Sequence, residues 1–306
     1  MTKDKWHGHI AILTTNIIFG LNTPIAKTIV PEWLSPYALT LLRMSCAGII
    51  FWLVSLFFKY EKVSRKDLCT LFFGALFGLV GAQLSFANAL IYTSPVTISI
   101  IAAMTPVVVM LLAALVLKEP ITLKKAAGVM IGASGAILLI YNNVGGSGQG
   151  NSLTGILLCC MNVLTYAIYL VITRPISQRY SPVTLMKWMF LFSALISLPI
   201  GTGDLLSARA FGAETGFTVL LRIAYIVIMA TGIAYFLVPM ALKRIRPTTV
   251  SMYNNAQPIV ASIVAILVGQ DVLTWDKPIA ALLVFTGVYF VTQSKSREDI
   301  EKQQPS

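Results

Sequence analysis

Residues 89–106 read ALIYTSPVTISIIAAMTP, and residues 241–258 read ALKRIRPTTVSMYNNAQP. At an offset of 152, without a gap, Ala89, Leu90, Pro95, Thr97, Ser99 and Pro106 fall on Ala241, Leu242, Pro247, Thr249, Ser251 and Pro258. The register holds further on, where Thr122, Lys125 and Gly135 meet Thr274, Lys277 and Gly287. The early part of each copy repeats more faintly at an offset of 146, with Asn16 on Asn162 and Ser35-Pro36 on Ser181-Pro182. The chain is therefore read as two structurally equivalent halves.

Composition places those halves in a bilayer. Of 306 residues, 57% are hydrophobic and 11% charged, against about 25% charged in an ordinary soluble domain. Runs such as Cys69–Ile91 and Val96–Leu117 approach the ~20 apolar residues that cross ~30 Å of hydrocarbon. Ten spans are expected, at 9–30, 36–58, 68–91, 95–117, 121–141, 152–174, 182–200, 218–242, 248–269 and 277–293. The fold class is all-α integral membrane. Residues 1–141 form a first repeat, 142–151 a Gly/Asn/Ser-rich linker, 152–294 a second repeat, and 295–306 a polar tail. Five spans per repeat turn the second upside down relative to the first, the architecture of a device that opens alternately to two sides.

The net charge of +11 is a topology signal rather than a nucleic-acid footprint. On one side of a ten-span arrangement lie Lys3, Lys5, Lys59, Lys62, Arg65, Lys66, Lys118, Lys124, Lys125, Arg174, Arg179, Lys243, Arg244, Arg246, Lys295, Arg297 and Lys302. The other side has only Arg209, Arg222 and Lys277. Basic residues concentrate on the cytoplasmic side, so both termini are expected there, in a multi-pass protein of the cell membrane. No small-residue cleavage site follows the first apolar stretch, which is expected to be an uncleaved anchor. Cys46, Cys69, Cys159 and Cys160 read as small apolar packing residues, with no disulfide framework, metal site or cofactor implied.

Two stretches carry a family resemblance. Phe19-Gly20-Leu-Asn22-Thr-Pro24-Ile-Ala-Lys27, with Ser35-Pro36 and Arg43, resembles the opening of EamA-type members of the drug/metabolite transporter superfamily. Leu117-Lys-Glu119-Pro-Ile-Thr122, leading into Gly128, Gly132 and Gly135, resembles their fourth-to-fifth helix junction. The resemblance spans about residues 9–293 and implies a secondary carrier with a central cavity, many members being exporters of amino acids or other metabolites. It departs at Phe19, where many members have tryptophan, and at Asp271-Val-Leu-Thr274, a weaker copy of the Glu119 junction.

Polar side chains in a bilayer face the protein interior or a watery path, and helical spacing sorts them. Asn16, Gly20 and Thr23 share a face of the first helix; their counterparts are Asn162, Tyr166 and Tyr169. Thr97, Ile101 and Thr105 align on the fourth, and Thr249, Tyr253 and Gln257 on the ninth; Gln83 matches Tyr235. The expected substrate-binding set is Asn16, Thr23, Arg43, Gln83, Thr97, Thr105, Asn162, Tyr166, Tyr169, Tyr235, Tyr253, Asn254, Asn255 and Gln257. Pro24, Pro106, Pro239 and Pro258 are the expected hinges, since proline removes a backbone hydrogen bond. The copies differ most where Ile101-Ala-Ala103 becomes Tyr253-Asn-Asn255, and substrate recognition is expected there.

Arg43 lies roughly 10 Å inside its span at 1.5 Å per residue, with no acidic residue at membrane depth to meet it. It could pair with Glu32, cap helix carbonyls or attract an anionic group. Lys27 could snorkel to the interface, and His7 and His9 read as interfacial. The missing membrane acid favours a neutral, zwitterionic or anionic metabolite over a cationic drug, and facilitated exchange over proton antiport. Partners are thus a small-molecule substrate and the lipid bilayer, with no nucleic acid. Gly74-xxx-Gly78 and Gly128-xxx-Gly132 are expected to serve packing within a monomer. Alternatives are a proton-coupled multidrug exporter, a non-transporting membrane scaffold, or a membrane enzyme, which would need convergent acid/base groups or a metal.

Overall fold

The computed structural model describes residues 3–93, 98, 101–102, 104–142, 152–212, 215–257, 259–260, 263 and 275–294, and among them no strand occurs. Its helices are α1 (Lys3–Lys27), α2 (Pro36–Ser55), α3 (Arg65–Tyr92), α4 (Thr105–Val116), α5 (Leu123–Asn142), α6 (Leu153–Ser177), α7 (Pro182–Leu206), α8 (Phe217–Leu242), α9 (Pro247–Met252) and α10 (Asp276–Thr292). Among the described residues six helices are long and apolar enough to cross a membrane: α2, α3, α6, α7, α8 and the Asp4–Lys27 part of α1. α4 and Pro278–Val291 within α10 are shorter apolar helices. The expected spans 95–117 and 248–269 fall partly on residues outside the described set.

Serine caps start four of these helices. Ser35, Ser64, Ser152 and Ser181 each stand in extended backbone and accept a backbone N–H of the first turn. That satisfies a donor the helix cannot satisfy itself. Pro36 and Pro182 follow their caps in the first turn, where a missing N–H costs nothing. Pro106 also sits in the first turn of its helix, just after helical residues 101–102 and a turn at Met104. Pro24 and Pro239 lie inside α1 and α8; Pro258 lies outside the described residues. α7 runs six residues beyond its expected end, through Pro199 to Leu206.

Two of the long helices carry a π-helical stretch. α3 is π-helical over Ala75–Gly81 and α8 over Tyr225–Ile233, and the end points Gly81 and Ile233 differ by the same 152 residues. Gln83 Nε2 donates to Tyr235 Oη, so two residues equivalent under the repeat touch each other. Gly287, equivalent to Gly135, packs α10 onto α5: a Cβ there would lie 2.5 Å from the Gly128 carbonyl.

Packing crosses between the two copies. α1 lies on α8, α2 on α7, α3 on α6, the start of α9 on α4, and α10 on α5. The antiparallel α2/α7 pair is tied at both ends by the same device. Ser35 Oγ, capping α2, donates to Asp204 in the last turn of α7. Ser181, capping α7, donates from N and Oγ, each at 2.9 Å, to Glu61 just beyond α2. Partial burial works against the Glu61 carboxylate, but hydrogen bonds from Thr184 and Ser181 outweigh it and hold its pKa below the usual carboxylate value.

A carboxyl group held low in the fold stabilises it above its unfolded pKa, and that contribution fades as pH falls through the lowered value. On acidification below about pH 4.5, the ordinary value for this group, the wild type should lose thermal stability in detergent more steeply than Glu61→Gln, while the two slopes coincide between pH 6 and 7.

Candidate functional site

Arg43 is the largest fully buried side chain, 2% exposed. It sits in the middle of α2, where Thr40, Met44 and Ala47 are also buried. Its Nε donates to Thr231 Oγ1 at 2.7 Å, its Nη1 to Gln83 Oε1 at 2.5 Å, and its Nη2 to the Ala230 carbonyl at 3.3 Å. Thr231 and Ala230 belong to the π-helical part of α8, where Thr231 Oγ1 in turn donates to the Ile226 carbonyl. π-Helical turns often occur at functional sites, and here one carries two acceptors for a buried cation. Among the described residues no carboxylate meets the guanidinium. The pairing with Glu32 is not formed; the neutral acceptors of α3 and α8 take its place.

The guanidinium opens on a cavity of about 110 Å³. α1 contributes Phe19, Asn22 and Thr23; α2 Arg43; α3 Ala82, Gln83 and Phe86; α6 Asn162 and Tyr166; α8 Tyr235. Ile98, Ala102 and Thr105 line it from the fourth-helix segment, and Asn254 and Gln257 from the ninth. An apolar cavity of roughly 150 Å³ admits benzene, so this space suits a small metabolite.

Three buried polar atoms of the wall have no partner: Asn22 Oδ1, Asn254 Oδ1 and the Tyr166 hydroxyl. A guanidinium has five N–H donors in a planar fork, of which three are engaged here. The wall thus pairs a fixed positive charge with amide acceptors and one hydroxyl. It can bind an anionic group at Arg43 and donor groups elsewhere on the same small molecule.

Nine of the residues expected from sequence line the cavity: Thr23, Arg43, Gln83, Thr105, Asn162, Tyr166, Tyr235, Asn254 and Gln257. Four do not. Asn16 is consumed behind the wall, donating to the Ile12 carbonyl and accepting from Gln257 Nε2 at 2.9 Å. Tyr169 fills the space left by Gly78, whose added Cβ would lie 2.3 Å from the ring. Tyr253 bonds His9, and Asn255 is buried against Gly132 of α5. Thr97 lies outside the described residues. The ninth segment was misjudged because it is 3₁₀ over Tyr253–Ala256. In a 3₁₀ turn, residues three apart eclipse, which aligns Asn254 with Gln257 instead of Tyr253 with Gln257.

Sequence spacing missed Asn22, Phe19, Phe86, Ala82, Ile98 and Ala102 as wall residues. Phe19 and Thr23 are one helical turn apart, a signal that was legible. It also missed that Lys27, at the end of α1, donates to the Leu90 carbonyl in the last turn of α3, where a helix end favours a cation. At the Glu119 junction, Thr122 Oγ1 caps α5 by accepting the Lys125 N–H at 3.2 Å. Glu119 itself pairs with the fully buried Lys125 at 2.5 Å and accepts from Thr248 of α9 at 3.4 Å.

Comparison with known proteins gives a consistent frame. The model of the EamA-like transporter family matches residues 6–141 and again residues 153–293. An uncharacterized transporter of Archaeoglobus fulgidus is 24% identical over 294 residues, covering 95% of this chain and 99% of that one. The uncharacterized transporter YcxC of Bacillus subtilis is 26% identical over 296 residues, with 92% and 91% coverage. The protein WALLS ARE THIN 1 of Arabidopsis thaliana is 23% identical over 340 residues, with 96% and 85% coverage. One solved crystal structure shares the fold at a TM-score of 0.72 and 18% identity, over 94% of this chain and 96% of that one.

Replacing Gln83 by leucine strands both a guanidinium N–H and the Tyr235 hydroxyl in the protein interior. Each such group costs about 1–3 kcal/mol. Gln83→Leu should therefore unfold several degrees below the wild type in a detergent melting assay.

Proposed function

Because this chain belongs to the EamA-like transporter family, a family that makes it a multi-pass membrane transporter, we propose a secondary carrier for a small carboxylate-bearing metabolite. An amino acid or a related zwitterion or anion is the substrate class, moved by alternating access as export or facilitated exchange. The observation that carries this reading is Arg43, a buried cation with only neutral partners, facing the cavity. An uncompensated buried charge is costly, and a substrate carboxylate supplies the missing counter-charge. The free Asn22 and Asn254 oxygens and the Tyr166 hydroxyl suit the ammonium or hydroxyl donors of such a molecule.

The same wall speaks against a cationic-drug exporter, which would meet a fixed positive charge and, among the described residues, no carboxylate. A membrane enzyme is disfavoured because, among the described residues, no paired acid/base groups line the cavity.

In the proposed topology ten spans form two inverted five-helix repeats, with both termini in the cytoplasm on the strength of the basic-residue bias. The moving bodies are not the repeats themselves. α1 packs on both α8 and the ninth-helix segment, α6 packs on both α3 and α4, and α4 also meets the start of α9; the repeat exchanges one triad for the other. The cavity lies between these triads, and the Gln83–Tyr235 and Arg43 bonds join them. Rocking of one triad against the other would open the cavity to each side in turn.

The test is counterflow of radiolabelled amino acids and small carboxylates in proteoliposomes. Several-fold accumulation of at least one carboxylate is expected over empty vesicles. Gln83→Glu, which pairs Arg43 internally, should cut that flux at least tenfold while keeping the melting temperature. Absence of flux across the panel, or undiminished flux in Gln83→Glu, contradicts the reading.

A further inference from the structure

His9 is expected from sequence to be an interfacial residue, but it is buried, 7% exposed. Its Nδ1 lies 2.8 Å from the Tyr253 hydroxyl, and its Nε2 is buried without a partner. Tyr253 is the first residue of the 3₁₀ segment Tyr253–Ala256. The next residue, Asn254, lines the cavity, as does Gln257 just beyond the segment. Gln257 bonds Asn16, which stands seven residues after His9 and so on the same face of α1. Two rungs, His9–Tyr253 and Asn16–Gln257, therefore hold the irregular segment against α1.

We propose that His9 is a proton-binding site whose occupancy controls the ninth-helix segment that forms part of the cavity wall. The inference extends the transport reading, because it gives the carrier a proton site without a membrane carboxylate. The charged groups around this end of α1 are Lys5, one turn earlier on the same helix, and Asp4, which pairs at 2.9 Å with Arg244 just beyond α8. From the ninth helix come Tyr253 and Arg246, the latter engaged with the Val291 carbonyl and Ser294 beside α10.

A neutral imidazole fits this surrounding with its single bond to Tyr253. A second ring proton would put an N–H at the unpartnered Nε2, and its positive charge would face Lys5 and, among the described residues, no free carboxylate. Burying an unsatisfied charge is strongly unfavourable, so the protonated ring requires water and a loosened His9–Tyr253 rung. Proton binding and the closed rung then oppose each other, and by linkage any ligand held by Asn254 and Gln257 is coupled to the proton. Histidine is the side chain whose ordinary titration falls between pH 5 and 8.

The experiment uses full-length protein in micelles without any substrate. In a His7→Gln background His9 is the sole histidine, and its ring ¹⁵N signals report protonation directly as pH is lowered from 8 to 5. Hydrogen exchange of residues 252–257, corrected for the intrinsic pH dependence of amide exchange, reports the segment. Exchange there is expected to rise at least tenfold as His9 gains its proton. His9→Gln should abolish that rise, and Tyr253→Phe should give fast exchange at every pH. The proposal is overturned if His9 takes no proton in this range, or takes one without a change in the segment, or if His9→Gln shows the same rise. A carrier that moves none of the substrates tested would leave this result standing, so the two readings fail separately.

Discussion

One buried guanidinium organises the centre of this protein. Arg43 draws α3 and α8 towards α2, because each supplies acceptors that the cation needs once it is removed from water. A hydrogen bond to a charged group contributes about 1.5–3 kcal/mol, enough to fix three helices in register, but neutral acceptors leave the charge uncancelled. The π-helical turn of α8 is the other half of this arrangement. It lets Ala230 offer its carbonyl sideways at a depth where backbone groups must otherwise be satisfied within their helix.

Around that centre the two copies of the chain are interleaved. Gln83 meets its own repeat-equivalent, Tyr235, and the long helices pack chiefly on partners from the other copy. α2 and α7 are fastened by a capping serine and a carboxylate at either end, which makes them a common frame for the triads on each side. The α1/α8 and α3/α6 pairs are each built from both halves of the sequence. Arg43 projects from the frame to touch both.

Much of this was legible in the sequence, for reasons that can be traced. Ser35-Pro36 and Ser181-Pro182 announce helix starts because capping chemistry is local. The offset of 152 shows again where Gln83 bonds Tyr235. Arg43 stood out because a lone cation at membrane depth demands partners. What was hidden depended on backbone irregularity: the 3₁₀ turn rotates Asn254 into the cavity and Asn255 away from it, and no residue spacing on an ideal helix shows that. Tyr169 was assigned to the cavity because nothing in its own helix reveals that Gly78 leaves room for its ring. His9 was read as interfacial because its partner is 244 residues away.

The central claim is that Arg43 waits for an anionic group of the substrate. Calorimetric binding of a carboxylate ligand and of its primary amide, which keeps the shape and removes the charge, tests it most directly. The account predicts that the amide binds the wild type at least tenfold more weakly, about 1.4 kcal/mol, and that Arg43→Gln erases the difference. Equal binding of acid and amide by the wild type would contradict it.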